Sequence, residues 1–208
     1  MTTREGARGP YRTGIERRRQ IVEKAIDVFG AYGYTGGSLR QIATEVGVTP
    51  AALAKHFASK EDLLIEVLRY WEESNRRVEP DPDARGLTAI EANKAVMAAH
   101  LQRRGFLELF LTLSVEATGR SHPAREFVTA RYTNTLAGFA RHIAEAVADG
   151  EIAPLSAEQI EAEARSLIAL MDGLELQWLL DPGMDLVGTF AAQLDATIER
   201  WHGIAARG

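Results

Sequence analysis

Apolar residues along this chain recur at spacings of three and four, and no sustained period-two run bounded by turn pairs is present, so the pattern predicts an all-α fold of about nine helices. The first is expected from Thr13 to about Tyr32, with Thr13 and Glu16 as a capping box and Ile21, Ala25, Val28, Phe29 and Tyr32 as one apolar stripe. Gly30 and Gly33 suit its end, and Gly36-Gly37 a corner. Ser38 and Gln41 repeat the capping box before a short helix that buries Leu39, Ile42, Ala43 and Val46 and stops at Gly47. Thr49 caps a third helix with Pro50 at its first position, where a missing N–H costs nothing, and Leu53 and Phe57 point back into a small core.

Ser59 caps a fourth helix, Lys60 to about Arg77, which buries Leu63, Leu64, Val67, Leu68 and Trp71 and gives way to the acidic, proline-broken EPDPDARG. Further helices are expected at Leu87 to Leu101, Gly105 to Thr118 and Pro123 to Ala148. An eighth begins at Ser156, where Gln159 completes another capping box, and ends before Asp181-Pro182-Gly183, and a ninth runs from Asp185 to Ile204. The division implied is a head, residues 1–60, and a body, residues 61–208.

Charge sharpens that division. Residues 1–60 hold ten Lys and Arg against five Asp and Glu, a net +5, whereas the rest hold fourteen against twenty-four, a net -10, which together give the chain's -5. A basic head on an acidic body points to a polyanion as partner of the head alone. The chain has no cysteine, which removes disulfides, thiolate metal sites and cysteine nucleophiles and fits a reducing compartment. The polar start MTTREGARGPYRTG is no secretion signal and no apolar run is long enough for a bilayer, so a cytoplasmic chain with no membrane partner is expected.

Two short helices around Gly47-Val48, the second starting at a capped Thr-Pro, have the form of a helix-turn-helix. The stretch Ile21 to Leu64, IVEKAIDVFGAYGYTGGSLRQIATEVGVTPAALAKHFASKEDLL, resembles the tetracycline-repressor (TetR) family of bacterial regulators, with IA..VGV, L..HF and SKEDLL in the family's order and spacing; ALMDGLELQWLLDP looks like the family's penultimate helix. The resemblance implies a three-helix DNA-binding head, a helical ligand-binding and dimerisation body, and a homodimer joined through the last two helices. It also implies roles by position. Thr49 at the recognition-helix N-cap suits a phosphate, Pro50, Ala51 and Ala52 face base edges with little more than methyl groups, and Arg40 and Lys55 read by hydrogen bond or pair with phosphate. His56 and Lys60 match backbone-contacting positions. Ala54 departs from the family, which usually has tyrosine there. Arg4, Arg8 and Arg12 either enter a minor groove or remain a disordered tail.

The glycines from Gly30 to Gly37 are no phosphate loop, since no strand precedes them and no Gly-Lys-Ser/Thr follows. The histidines form no HExxH or i, i+4 pair, no GxSxG or triad appears, and no metal, cofactor or catalytic activity is expected. Polar residues inside apolar helices ask for partners, and several are candidates for an effector pocket: Trp71, Met97, His100, Phe106, Phe110, Glu116, Phe139, Met171 and Gln177. The eighth helix is apolar on more than one side, so Leu174 and Trp178, with Phe190, Leu194 and Ile198 of the ninth, are the expected dimer interface. The function expected is that of a repressor released from a palindromic double-stranded operator by a small, largely apolar effector. A helical ligand-binding or protein-interaction module that touches no DNA is the alternative.

Overall fold

The computed structural model describes residues 10–75 and 83–203. Among them are ten helices and no strand: α1 Pro10–Gly36, α2 Leu39–Val46, α3 Pro50–Ala54, α4 Lys60–Asn75, α5 Gly86–Glu91, α6 Asn93–Leu101, α7 Arg104–Glu116, α8 Arg125–Ala148, α9 Ala157–Leu180 and α10 Leu186–Gly203. One expected helix, Leu87 to Leu101, divides in two at Ala92. The basic arm, the Thr13 cap, the region around Arg77 and most of the EPDPD corner lie outside the described side chains.

Local chemistry explains most boundaries. Ser38, Thr49 and Ser156 accept from backbone N–H groups three residues on, at 3.2, 3.1 and 3.3 Å, and only at Ser156 is the reciprocal glutamine bond of a full capping box also formed. Ser59 Oγ likewise receives the N–H of Asp62 at 3.0 Å, while Asp62 Oδ2 receives that of Ala58 at 3.1 Å. The first helix departs from expectation: it runs through Gly30 and kinks at Gly33, φ 73° and ψ 169°. Tyr32, expected on its apolar stripe, is 61% exposed, while Gly30 and Gly33 beside it are buried.

Two hydrophobic clusters organise the chain. One joins α1, α2, α3 and α4 to α7 and the start of α8, with Phe29, Ile42, Leu53, Leu63 and Leu109 fully enclosed. The other fills the body, where Met97, Ile143, Leu167, Phe190 and Trp201 meet. The head is therefore seated on α7 by continuous apolar packing, which at about 25 cal/mol per Å² is the main force that holds the two parts together.

Candidate functional site

Gly47 sits at φ 73°, ψ 35°, and its left-handed conformation lets Val48 N–H reach Ala43 O at 2.9 Å and closes α2. Thr49 then opens α3, whose inner side plants Leu53, and Phe57 after it, in the core. The outer residues Thr49, Pro50, Ala51, Ala54 and Lys55 are exposed, as is Arg40 on α2, whereas Ala52 is half-buried. Among the described residues the Arg40 and Lys55 side chains have no ion-pair or hydrogen-bond partner, while Arg19 is tied to Glu16 and Glu23 and Lys24 to Asp27. Helix α3 ends at Ala54, a turn before Phe57, because Lys55 and His56 already turn the chain toward α4.

One expected contact is committed internally. Lys60 Nζ donates to Gly37 O at 2.7 Å and to Thr35 O at 3.3 Å and lies 4.4 Å from the centre of the Tyr34 ring, so its charge serves the corner before α2. His56 is half-buried, and its carbonyl receives Arg18 Nη1 at 2.6 Å. Arg18, absent from the expected site, also covers the Phe57 ring at 4.2 Å and pairs with Glu66 at 3.1 Å, joining α1, the end of α3 and α4. An Arg-Arg-Arg run gives no hint of which member turns inward.

A cavity partly open to solvent lies among α4, α6, α7, α8 and α9. Five of the expected residues line it: Trp71, His100, Phe106, Phe110 and Met171. Four do not. Met97 and Phe139 are buried in the body cluster, Gln177 is exposed and bonds Gly173 O, and Glu116 reaches the head instead, accepting from the N–H groups of Tyr34 and Thr35. Glu116 and Gln177 sit on helix faces turned away from the cavity, whereas Met97, one turn before His100, and Phe139, one turn after Thr135, keep the lining's face but lie further along their helices in the body core, and periodicity alone sets neither. Arg103, Leu107, Arg131, Tyr132, Thr135, Ile168, Asp172 and Glu175 complete the lining.

The walls are aromatic, with Trp71 stacked on Phe110 at 5.3 Å. Arg131 lies 4.7 Å over Trp71 and Arg103 4.4 Å over Phe106, positions that use the negative ring faces. Deeper in, Glu175 is 3% exposed and meets His100 Nδ1 at 2.6 Å, and Tyr132 donates its hydroxyl to Asp172 Oδ2 at 2.6 Å. Burial pushes the Asp172 carboxyl above its ordinary range, an effect partly offset by the Tyr132 hydroxyl; burial and then that same bond push the Tyr132 phenol up. The sequence signal was there, since Asp172 and Glu175 are carboxylates within an apolar helix.

The expected dimer residues turn inward. Leu174, Trp178, Phe190, Leu194 and Ile198 are between 1% and 8% exposed and fill the protomer's own core. What faces out along α9 is Ala162, Ser166, Ala169, Leu176 and Leu180, with half-buried Gly173 in the same row; Leu176 is 51% and Leu180 79% exposed. These positions keep an alternating spacing of four and three, a second stripe beside the buried one. Arg104, 5.4 Å over Trp178 and bonded to Leu179 O at 2.9 Å, seals the inner side.

A family model described as bacterial regulatory proteins, tetR family, matches residues 21–67. A second, the C-terminal part of BetI-type transcriptional repressors, matches residues 91–202, more than half of the chain. The chain belongs to the TetR family. It is thus akin to DNA-binding transcriptional regulators. The A-factor receptor protein of Streptomyces griseus is 28% identical over 182 residues, 85% of this chain and 60% of its own length, so the chain spans about three fifths of that relative. The transcriptional regulator PksA of Bacillus subtilis is 25% identical over 167 residues, 80% of each chain. Among solved TetR-family structures, a regulator from Chloroflexus aurantiacus shares the fold at TM-score 0.77 and 23% identity, covering 90% of this chain and 96% of its own. A transcriptional regulator from Saccharomonospora viridis in complex with choline superposes at TM-score 0.73 and 25% identity, over 89% and 96%. No helix among the described residues is long and apolar enough to cross a membrane.

Proposed function

We propose that this TetR-family chain is a cytoplasmic, ligand-responsive repressor whose head, residues 1–60, reads a palindromic operator as a homodimer and whose body, residues 61–208, binds a small effector that releases it. The observation that carries this reading is the outward side of the helix-turn-helix, where the Thr49-capped α3 stands on a closed core with Arg40 and Lys55 exposed and unpartnered among the described residues. Thr49, Pro50, Ala51 and Ala52 approach the duplex, Lys55 and Arg40 supply charge, and two such heads enter successive major grooves about 34–36 Å apart. Lys60 supports that surface from within, and the His56 side chain is assigned to the DNA backbone. The dimer is assigned to the outer stripe of α9, with Leu176 and Leu180 at its C-terminal end, because these large apolar side chains stay exposed on the protomer.

For the effector, the aromatic walls favour an apolar body, and the carboxylates of Asp172 and Glu175 favour a hydrogen-donating or cationic end. The choline-bound S. viridis regulator supports a cation in this fold, and choline is the first compound to titrate by calorimetry. A coupling of about 1–3 kcal/mol would lower operator affinity roughly five- to 150-fold.

The test is a gel shift with a labelled duplex from upstream of this chain's own gene, at several salt concentrations. Sequence-selective binding that falls steeply with salt is expected. The rival is a helical interaction module without DNA affinity, favoured by the methyl-only surface of Ala51 and Ala54; it predicts no shift with any such fragment.

A further inference from the structure

We infer that Glu116 is a positioning residue that fixes the head on the body, so that α7 carries the state of the cavity to the DNA-reading helices; the inference rests on the effector-responsive reading above. Helix α7 lines the cavity with Phe106 and Phe110 and ends at Glu116, about 9 Å further along its axis. There Glu116 Oε2 accepts the N–H of Tyr34 at 2.7 Å and Oε1 that of Thr35 at 3.3 Å. Those two donors follow the kink of α1, where the helical backbone is broken at Gly33. Gly33 is required twice: its φ of 73° strains any other residue, and a Cβ there would fall 2.5 Å from Glu116 Oε1.

The seam on either side leaves little room to slip. One turn earlier, Thr112 Oγ1 donates to Gly30 O at 3.1 Å, and a Cβ on Gly30 would lie 3.1 Å from Leu109 N, so α1 and α7 run backbone against backbone. On the outer side His122 Nδ1 accepts the N–H of Ala124 at 3.2 Å, which places the neutral ring's proton on Nε2, 3.6 Å from Glu116 Oε2. The same imidazole meets the Tyr34 ring edge-on at 5.3 Å, while Lys60 of the head holds Tyr34, Thr35 and Gly37. The corner that leads into Ser38 and α2 is therefore gripped by the body through Glu116 and His122 and by the first residue of α4. A rotation of α7 that begins at Phe106 and Phe110 moves the acceptor of Tyr34 and Thr35, and the orientation of α2 follows.

Because the chain has no cysteine, Glu45→Cys on α2 and Glu91→Cys on α5, both exposed, accept a nitroxide pair whose separation is read by pulsed electron paramagnetic resonance in full-length protein diluted with unlabelled chain. The parent is expected to give one narrow distance distribution, Glu116→Ala one at least about twice as wide, and Glu116→Gln an intermediate width. A residue that merely stabilises the fold would lower the melting temperature and leave the distribution alone; superimposable distributions overturn the inference. Should the alanine variant fail to fold, the glutamine variant decides, since it keeps the bulk and loses one acceptor. With the upstream duplex, Glu116→Ala is expected to bind about tenfold more weakly. A parent that bound no duplex would contradict the DNA-binding reading, while the distances would still decide the role of Glu116.

Discussion

The helix-turn-helix and the last two helices were both legible as helices, yet they differ in how their orientation is set. In the head, each short element is fixed at its ends by local chemistry: Ser38 and Thr49 cap, Gly47 turns left-handed, and Pro50 starts α3. In α9 and α10 the ends are equally clear but the rotation about the axis is not, because two apolar stripes compete for the interior. Leu174 and Trp178 take it and Leu176 and Leu180 remain outside. End signals are local and legible, whereas the choice between two faces is made by all the partners at once.

The largest expected effect tests that difference directly. Leu53→Ala in the head and Leu194→Ala in the last helix each remove a side chain that is 1% exposed, and each is expected to cost about 2–5 kcal/mol of folding stability in urea denaturation. If Leu194→Ala instead left the fold unchanged and only dissociated dimers, the inward placement of α10 would be wrong. Leu176→Glu is the complementary change, expected to weaken self-association by about 2 kcal/mol or more in sedimentation experiments while circular dichroism keeps its helical signal. Thr49→Ala removes the cap of α3 and is expected to cost about 1 kcal/mol of stability as well as operator affinity.

The smallest effect concerns pH. The Asp172 carboxyl is held above its ordinary range by burial, so the folded chain keeps that proton longer than the unfolded chain. Stability is untouched below the ordinary aspartate range and declines as pH rises from there through the raised value. Asp172→Asn should flatten that decline in denaturation curves recorded across the interval; an unchanged slope would show that Asp172 is not held protonated.

Some of the site was legible for physical reasons that recur elsewhere in the chain. Trp71, Phe106, Phe110 and Met171 were legible as a pocket because large side chains on successive helices tend to converge. His100 was legible because a polar ring after an apolar run needs a partner, and Glu175 is that partner. Glu116 raised the same question, but its partner is the broken backbone of α1, 82 residues away in sequence, and no local pattern reveals a kink at Gly33 that calls for an acceptor. Lys60 was legible as a motif position only through resemblance; its bonds to Thr35 and Gly37 depend on how the corner folds back.

The central claim is that the exposed side of α3 reads duplex DNA through charge on Arg40 and Lys55. Its most direct measurement is the salt dependence of binding to the upstream duplex for the parent and for the double variant Arg40→Ala, Lys55→Ala. The parent's log-affinity should fall steeply with log salt concentration, and the double variant should bind more weakly with a slope reduced by about 2 per head, roughly 0.9 for each lost phosphate contact. Equal affinities and equal slopes for the two proteins would contradict it.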